Sequence, residues 1–290
     1  MTLPVYPYAI SFSQIRTEFS GSGAASMSAY RSGGAQVPTG TLGFPNGTST
    51  AIPSSGQISF NNFHGASATP TYNFVIAGPT ANFNLRNSMI AAGYSGSGAF
   101  AATVTVNSGA YIYSTSISNP AFTTGSLTGG TIDIVNNGYI VGKGGTGGLG
   151  NNGSPNPLTS GGLALQILAA TKITNNGTIG GGGGGGGGAG FNRGPSGGGG
   201  GAGFGCGSQG GGNGSLSAGG AGAPGGGSGG VGGSGGSLGS TGGTGPSYTY
   251  TFGFLVMTGA GQNGAAGGAA VSGNSLITWL VTGTRLGTIA

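Results

Sequence analysis

The stretch SGGVGGSGGSLGS, residues 228–240, decides the fold of this chain because its non-glycine residues recur at almost every third position. The residues that share this spacing are Ser228, Val231, Ser234, Ser237 and Ser240. A period of three is typical of an extended threefold helix of the polyproline-II type, whereas an α-helix repeats every 3.6 residues and a strand every two. We therefore predict threefold helices, called rods below, in this part of the chain.

Glycine dominates the chain around this stretch, since the run from Gly180 to Gly245 holds more than half of the 76 glycines among the 290 residues. Such composition usually indicates a disordered linker, because glycine loses the most backbone entropy on ordering. The regular spacing favours order instead. A threefold helix makes no internal hydrogen bonds, so its N–H and C=O groups bond to water or to neighbouring rods. We expect several rods to bundle, with residues 228–245 as one rod of about 55 Å at ~3.1 Å per residue.

The charge and the cysteine content exclude several classes of protein. Charged residues make up 3% of the chain, and the net charge is +5. These charges are too sparse and scattered for nucleic-acid binding, which requires clustered Lys and Arg. Cys206 is the lone cysteine, so no internal disulfide forms. No signal peptide is visible, and no apolar run approaches the ~20 residues of a membrane helix, so we expect no membrane insertion.

No set of residues in the sequence combines into a catalytic, metal or cofactor site. Glu18 and Asp133 are the only acids and fall in different predicted modules, so we interpret them as surface acids and not as a glycosidase pair. His64 and Cys206 lack neighbouring ligands or bases, so we interpret the histidine as a hydrogen-bonded loop residue and the thiol as filling a tight spot. Residues 142–147 match G-x-G-x-x-G, but no helix is predicted after them and no acid follows to hold a ribose. We predict no enzyme and no cofactor.

Residues 1–66 form a module in which one phrase occurs twice, as ISFSQI near its start and as ISFNNF near its end. Ser11 or Ser13 is expected to cap a short helix that carries Ile15 and Phe19. The module holds too few apolar residues to stand alone, so we expect it to dock on another surface.

The region from Tyr72 to about Val141 is predicted to be β-structure, because short β-branched and aromatic runs alternate with Gly, Asn and Pro. A short helix is expected over residues 83–92, ending at Gly93. The predicted strands are Tyr72–Ile76, Phe100–Val106, Tyr111–Tyr113 and Ile132–Val135.

A second repeat lies at the end of this region, where NNGYI at residues 136–140 is echoed by NNGTI at residues 175–179. Asn-Gly favours turns because both residues accept positive φ. The repeat therefore predicts two strand–turn–strand units that feed the rods. Residues 276–281 are predicted to form a last strand that returns to the β region.

Islands without glycine interrupt the rods and are expected to form the turns at their ends. Aromatic residues with an arginine on a rigid scaffold are typical of a binding tip. In residues 248–254, alternation puts four aromatic rings on one side of an extended segment. An alternative interpretation is that this segment is a strand whose rings are buried in the β region. The candidate binding residues are Phe191, Asn192, Arg193, Gln209, Asn213, Leu216, Tyr248, Tyr250, Phe252 and Phe254.

The chain resembles the glycine-rich receptor-binding proteins, or adhesins, at the tips of bacteriophage tails and tail fibres. The resemblance covers most of the chain and rests on the order of its motifs: ISFSQI near the start, TVTVNSG at residues 103–109, then residues 136–148 and 175–190. It implies a mainly β and irregular fold. The family's parts would be a small N-terminal attachment module at 1–66 and a polyglycine-II helix sandwich with apical loops at 180–275. This chain departs from the family by a sizeable β module at 67–179 before the rods, and a C-terminal strand at 276–290 is expected to return to that module.

The resemblance also implies a function, which is recognition of a bacterial outer-membrane protein or surface glycan for host adsorption. The protein would be made in the host cytoplasm and would lie in the virion, at the tail tip or tail fibre. Its partners would be other phage tail or fibre proteins, and a homotrimer is one possible state. The residues implied in virion attachment are Ile10, Phe12, Ile15, Phe19, Ile58, Phe60 and Phe63.

Two other functions stay open at this point. The chain could be a purely structural tail-tip or fibre component that joins virion parts. It could also be a secreted glycine-rich wall or coat protein, although the missing signal peptide argues against this.

Overall fold

The structure, a computed structural model, describes residues 2–21, 26–34, 36–37, 41–47, 50–150, 156–190, 196–224 and 230–290. Contacts between Cα atoms divide the chain into two compact units. The N-terminal unit contains Met1–Phe74, Arg86–Thr103 and Ser126–Ile132. The solenoid unit contains Val75–Leu85, Val104–Gly125 and Asp133–Ala290.

Helix α1, Phe12–Glu18, begins where the sequence predicts it because Ser11 is its N-cap. The Ser11 hydroxyl accepts a hydrogen bond from the Gln14 amide, and the Gln14 side chain accepts one from the Ser11 amide. This reciprocal capping box satisfies two amides that a helix start leaves unpaired. Ile15 and Phe19 then face a buried cluster that also contains Tyr30 and Phe63.

The N-terminal unit contains an apolar core of its own, which its composition does not lead one to expect. The fully buried members of this core include Leu3, Val37, Ile52 and Ala66 besides the aromatic residues named above. Short elements connect them. These elements are 3₁₀ turns at Met27–Tyr30, Pro45–Gly47 and Phe60–Phe63, and strands β1 (Leu42–Gly43) and β2 (Thr50–Ala51), which pair antiparallel.

Most of the remaining described strands form three sheets, which together make a solenoid. The strands are β3 (Thr71–Ile76), β4 (Thr80–Ala81), β5 (Phe83–Asn84), β6 (Phe100–Val106), β7 (Tyr111–Tyr113), β8 (Phe122–Thr123), β9 (Gly130–Asn136), β10 (Tyr139–Val141), β11 (Leu165–Gln166), β12 (Thr171–Asn175), β13 (Thr178–Gly180), β14 (Tyr248–Phe252), β15 (Leu255–Gly259), β16 (Val271–Ser272), β17 (Ile277–Val281) and β18 (Thr284–Leu286).

Successive strands belong to the three sheets in turn, so one circuit of the chain adds one strand to each sheet. The strands of one circuit are called a rung below. The sheet orders are β3-β6-β9-β12-β17, β4-β7-β10-β13-β18 and β5-β8-β11-β16. The pairs with a described register in these sheets are parallel. Equivalent residues therefore stack from rung to rung, as Ile112, Ile140 and Ile179 do in a fully buried column. Such stacking supplies a continuous core that no single rung could build.

The Asn-Gly repeat marks a corner of this solenoid. The turn at Asn137-Gly138 joins β9 to β10, and the turn at Asn176-Gly177 joins β12 to β13. Each turn therefore links strands of two different sheets and not the two strands of a hairpin. Two helical elements complete this part of the chain, namely α2 (Leu85–Ala91), which is followed by Gly93 at φ +98° as predicted, and a 3₁₀ turn at Asn274–Leu276.

Two long excursions leave the solenoid at the same corner in successive rungs. Residues 142–164 connect β10 to β11, and residues 181–270 connect β13 to β16. In the preceding rung, residues 114–121 make the same connection from β7 to β8. The two excursions together form the glycine-rich domain.

Within this domain, Gly180–Gly190 is buried along its length and hydrogen-bonds through its backbone to six other described segments of the domain, while Gly181 also donates to the Leu286 carbonyl of β18. Bonds to any one neighbour recur every three residues, with N···O distances of 2.7–3.1 Å. Its amides donate to the carbonyl groups of three neighbouring segments, and in each pair below the donor comes first. The pairs are Gly182–Gly162 and Gly185–Thr159 with the first segment; Gly183–Ala202, Gly186–Gly199 and Ala189–Ser196 with the second; and Gly184–Ser240, Gly187–Gly243 and Gly190–Pro246 with the third. Its carbonyl groups accept from the amides of three further segments, again with the donor first. The pairs are Gly142–Gly180, Gly145–Gly183 and Gly148–Gly186 with the fourth segment; Gly239–Gly181, Gly236–Gly184 and Gly233–Gly187 with the fifth; and Gly268–Gly182, Ala265–Gly185 and Gln262–Gly188 with the sixth.

The close approach of these segments explains the run of glycine. A Cβ atom on Gly184 would lie 1.8 Å from the carbonyl oxygen of Ala265, so no side chain fits there. At the outer surface of these packed segments, by contrast, side chains are accommodated. The exposed residues recur at every third position, as Val231, Ser234, Ser237 and Ser240 do.

The prediction of one long rod over residues 228–245 is wrong. The chain turns at Leu238 and Gly239, where Gly239 has φ +66° and the Ser240 amide donates to the Ser237 carbonyl. The segments before and after this turn then become two separate neighbours of Gly180–Gly190. The glycine segments are therefore short, and the chain reverses between them.

Candidate functional site

The glycine-rich domain has two ends, which the hydrogen bonds of its central segment define. The proximal end lies at Gly180, where the segment continues directly from strand β13. The distal end lies at Gly190, whose amide donates to the Pro246 carbonyl over 3.0 Å. Gln262 also reaches the distal end, because its amide donates to the Gly188 carbonyl over 3.0 Å. The chain between Pro246 and Gln262 therefore leaves and re-enters the array at the distal end.

This chain forms a hairpin in which β14 pairs antiparallel with β15. Phe252 pairs with Leu255, so Gly253 and Phe254 make a two-residue turn. Gly253 has φ +59°, a conformation that favours glycine at the tip of a tight hairpin. The hairpin is a two-stranded sheet of its own, so the interpretation that places residues 248–254 in the β region is wrong.

The tip of the hairpin is apolar and exposed. Phe254 is fully exposed, and Leu255 and Val256 are each 59% exposed. No charged residue occurs between Pro246 and Asn263. Exposed apolar clusters of this kind on a protein surface are typical of interaction sites.

The other aromatic residues of the hairpin are described only in part. Tyr248 is half-buried. The side chains of Tyr250 and Phe252 lie outside the described residues, as do Phe191, Asn192 and Arg193. Phe254 itself lies in the turn, and not in the strand that carries the alternating rings.

Side-chain amides connect the distal segments to one another. The Oε1 atom of Gln209 accepts a hydrogen bond from the Gly150 amide over 2.8 Å. The Oδ1 atom of Asn156 accepts hydrogen bonds from the amides of Leu149 and Leu158. Gln209 is also exposed and has φ +41°. This candidate binding residue thus contributes to holding the distal turns in place, a role that sequence reasoning did not identify.

Two candidate binding residues lie away from the hairpin. Asn213 is exposed, and its Oδ1 accepts a hydrogen bond from the Gly207 amide over 3.0 Å. Leu216 lies at the proximal end, where it packs against a buried cluster that includes Val141 and Leu238. The structure therefore brings Gln209 and the hairpin to the same end of the domain and places Leu216 at the opposite end.

In the N-terminal unit, most of the candidate attachment residues belong to the apolar core. Ile15, Phe19 and Phe63 are buried there. A second group, Ile10, Phe12 and Ile58, is half-buried and packs against that core. Phe60 is the exposed member at 43%, and its ring stacks on that of Phe12 with centroids 6.2 Å apart.

Exposed apolar residues that the sequence did not single out lie elsewhere on this unit. Val5 and Tyr6 are about half exposed, at 53% and 49%. A Cβ atom placed on Gly65 would lie within 3.3 Å of both Phe44 and Val5, so these two side chains border the same position. Phe44 also lines a groove of about 390 Å³ together with Leu42 and Tyr72 among others.

The aromatic cluster beside this groove contains two tyrosines with shifted acidity. Burial, and to a lesser degree the neighbouring Tyr94, raises the pKa of the Tyr72 hydroxyl. Burial also raises the pKa of Tyr94, although Arg86 opposes the shift. The hydroxyl of Tyr94 is buried and has no hydrogen-bond partner among the described residues.

Glu18, His64 and Cys206 are the groups of catalytic type whose surroundings the structure describes most fully. Glu18 is buried and not a surface acid, and its Oε1 accepts hydrogen bonds from the Ser67 hydroxyl and the Ala68 amide. His64 is hydrogen-bonded to the Pro4 carbonyl at 3.3 Å. Cys206 is exposed, so it does not fill a tight spot. The described residues contain no cluster of His, Cys, Asp and Glu that could hold a metal, and no helix among them is long and apolar enough to cross a membrane.

Comparisons with known proteins identify the family. The family model described as "Phage tail fibre adhesin Gp38" matches residues 71–290. The chain belongs to this family of phage tail fibre adhesins. A solved structure, the crystal structure of the gp37-gp38 adhesin tip complex of the bacteriophage S16 long tail fibre, is 25% identical to the adhesin with a TM-score of 0.54. The similarity covers 82% of this chain and 89% of that one. No curated protein sequence matches the adhesin.

Membership of this family defines the general role of the protein. The adhesin is a structural protein of the phage virion, located in the tail fibre, and it acts in host attachment. The predicted resemblance and the mainly β fold with few helices are thereby confirmed.

Proposed function

We propose that the adhesin binds a receptor on the bacterial surface with the distal end of its glycine-rich domain. The observation that carries this proposal is the hairpin tip, where Phe254, Leu255 and Val256 expose apolar side chains. A large exposed aromatic on a well-ordered support is the residue type that dominates binding energy at protein interfaces. Adsorption then requires only binding, with no covalent bond made or broken.

The chemistry of the tip favours an outer-membrane protein over a surface glycan as this receptor. The hairpin carries no charge and presents its apolar residues at the turn. Apolar side chains gain about 25 cal/mol for each Å² removed from water, and a protein pocket offers such burial more readily than a hydroxyl-covered sugar chain does.

We also infer that the glycine segments are polyglycine-II helices that hold this tip rigidly. Hydrogen bonds that recur every three residues and run laterally to six neighbours support this conformation, because such a helix has no internal bonds to offer. The region would then span residues 180–275, joined to a β module at 67–179 and to the strand at 276–290. Because Gly180–Gly190 finds its six neighbours within one chain, the proposal requires no bundling across a homotrimer.

The N-terminal module, residues 1–66, is proposed to attach the adhesin to another tail or fibre protein. The similar S16 protein is described as a complex of gp37 and gp38. In this chain, the exposed side chains of Val5, Tyr6, Phe44 and Phe60 supply apolar surface for such a contact. Of the residues implied in attachment, Phe60 is the one with an exposed side chain, and the buried ones would support the surface from below.

An adsorption-competition experiment tests the receptor assignment. Purified adhesin is incubated with host cells before the phage that carries it, and unadsorbed phage are counted. Wild-type protein is expected to block adsorption, and Phe254→Asp is expected to lose this effect, because a charge at the tip opposes burial against an apolar pocket. Leu168→Asp is the matched control, since Leu168 is also apolar and 47% exposed but lies between β11 and β12 of the solenoid.

The outcomes separate the two functions that the sequence leaves open. If folded wild-type protein leaves adsorption unchanged, the adhesin only joins virion parts. If both variants lose competition equally, the tip is not the contact surface. Proteinase treatment of the host cells then checks the receptor class, because a protein receptor is destroyed and a glycan survives.

A further inference from the structure

A second concave site lies on the solenoid, at the corner that the Asn-Gly repeat forms. Three successive turns line it, one from each of three rungs, and they give a groove of about 430 Å³. This volume falls within the range of ligand-binding clefts in proteins. The groove is lined by Ser108, Gly109, Asn137, Gly138, Tyr139, Asn176, Gly177, Thr178 and Thr284.

The lining consists of hydroxyl and amide groups without a charge. Asn176 donates from Nδ2 to Oδ1 of Asn137 over 2.9 Å. This bond leaves Nδ2 of Asn137 and Oδ1 of Asn176 without a protein partner among the described residues. The two residues are exposed, so one amide donor and one amide acceptor remain available on adjacent rungs.

In the neighbouring asparagine pair, by contrast, the side-chain amides are bonded within the protein. Asn136 and Asn175 occupy the preceding position in each rung and are fully buried. Their amides bond to each other and to the carbonyls of Thr178, Thr282 and Thr284. The buried pair holds the corner together, whereas the exposed pair leaves hydrogen-bonding capacity directed at solvent.

The register of the sheet places one aromatic residue, Tyr139, in the lining of the groove. Tyr139 of β10 pairs with Thr178 of β13, which pairs with Thr284 of β18. The three residues therefore lie in one line across the sheet. Adjacent strands lie about 4.8 Å apart, which is on the scale of one sugar ring. Tyr139 lies at one end of this line and is half-buried, because it also packs against the cluster of Val141, Ala202 and Leu238, and Thr284 is exposed at the other end.

We propose that this groove is a binding site for a neutral saccharide, separate from the receptor site at the hairpin. Sugar hydroxyls both donate and accept hydrogen bonds, which matches a lining of amides and hydroxyls. The apolar face of a sugar ring can rest on the part of the Tyr139 side chain that stays exposed. A phosphate-rich or nucleic-acid ligand would need Lys or Arg for its charge, and none lines this groove.

Saturation-transfer difference NMR on the full-length adhesin tests this site. The probes are glucose, galactose, N-acetylglucosamine, lactose and maltose, each at about 10 mM, which detects dissociation constants in the millimolar range. At least one sugar is expected to give a signal. The double change Asn137→Ala and Asn176→Ala is expected to weaken its binding about tenfold or more, because each lost hydrogen bond costs a few-fold in affinity.

Asn119→Ala is the matched control, since Asn119 is an exposed asparagine in the connection between β7 and β8 and does not line the groove. Its sugar signal is expected to equal that of the wild type, and thermal unfolding confirms that all variants are folded. The proposal is overturned if no sugar gives a signal, or if the signal survives in the double variant. Phe254→Asp is expected to keep sugar binding, so the failure of this site and the failure of the hairpin site are distinguishable.

Discussion

Asn136 and Asn175 lie on adjacent rungs inside the solenoid, and Nδ2 of Asn136 donates a hydrogen bond to Oδ1 of Asn175 over 2.8 Å. Asn175 in turn donates from Nδ2 to the carbonyls of Thr282 and Thr284, over 2.9 and 3.1 Å. Side-chain amides thus connect three successive rungs at one corner. The last rung, which has a neighbour on one side alone among the described strands, is held by these bonds.

Asn175→Ala is expected to lower the free energy of unfolding by about 1–3 kcal/mol, because it removes the acceptor of a buried amide. Urea denaturation followed by circular dichroism measures the change. Asn176→Ala is the control and is expected to stay within about 0.5 kcal/mol of the wild type, since that side chain is exposed. Equal losses in the two variants would contradict the role given to the buried pair.

Gly184→Ala is expected to prevent the glycine-rich domain from folding normally. The new methyl group would lie 1.8 Å from the Ala265 carbonyl oxygen and 2.5 Å from its carbon, both backbone atoms that cannot move aside locally. We expect a loss of more than about 3 kcal/mol or an insoluble product. Ser234→Ala, on the exposed side of the array, is expected to leave the melting temperature almost unchanged. A well-folded Gly184→Ala protein would disprove the close approach of these segments.

Leu238→Ala is expected to cost about 2–5 kcal/mol, the usual range for a buried leucine. Leu238 is buried with Val141 and Ala202 at the proximal end of the glycine-rich domain, where side-chain burial is otherwise scarce. Its loss would leave a cavity beside strand β10. Differential scanning calorimetry measures the effect, and Val231→Ala, at an exposed position, serves as the comparison. A cost below about 1 kcal/mol would mean that this cluster contributes little.

The stability of the N-terminal unit is expected to fall as the pH rises above about 10. Tyr72 and Tyr94 have raised pKa values in the folded protein, whereas in the unfolded chain they titrate near the ordinary value of 10.0. In that range the unfolded state binds fewer protons than the folded state, so the free energy of unfolding decreases with pH. Chemical denaturation at about pH 8 and about pH 11 measures this slope.

Tyr94→Phe tests the origin of that slope. The change removes a buried hydroxyl that has no partner among the described residues, so stability near neutral pH is expected to be equal or higher by up to about 1 kcal/mol. The loss between about pH 8 and pH 11 should shrink, and adding Tyr72→Phe should shrink it further. An unchanged slope in the double variant would assign the alkaline loss to other groups.

Local signals in the sequence account for part of this fold. The capping box fixes the start of α1, and the β-branched run Phe100–Val106 matches β6 residue for residue. The period of three predicts which residues of the glycine-rich domain face solvent. Each of these features depends on neighbours in the chain, so propensity and spacing are sufficient to identify them.

Features that depend on distant pairing could not be predicted. Strands such as β5, β8 and β11 span two residues each and show no periodicity, because parallel partners about a full circuit away define them. The turn at Gly239 and the proximal position of Leu216 depend on where each segment meets its neighbours. The exposed Val5 and Tyr6 were missed because apolar residues are ordinarily expected inside.

The hydrogen bonds of the glycine-rich domain recur every three residues and involve the backbone alone at most positions. Adding or removing three residues in a segment would shift it by one turn, about 9 Å, and return each amide to the direction of its former neighbour. A change of one or two residues would turn every donor away from its acceptor. If the segments are polyglycine-II helices, as we propose, length variation in them is tolerated in steps of three, and loops at the distal end can be moved outward or inward by whole turns while the supporting segments keep their hydrogen bonds.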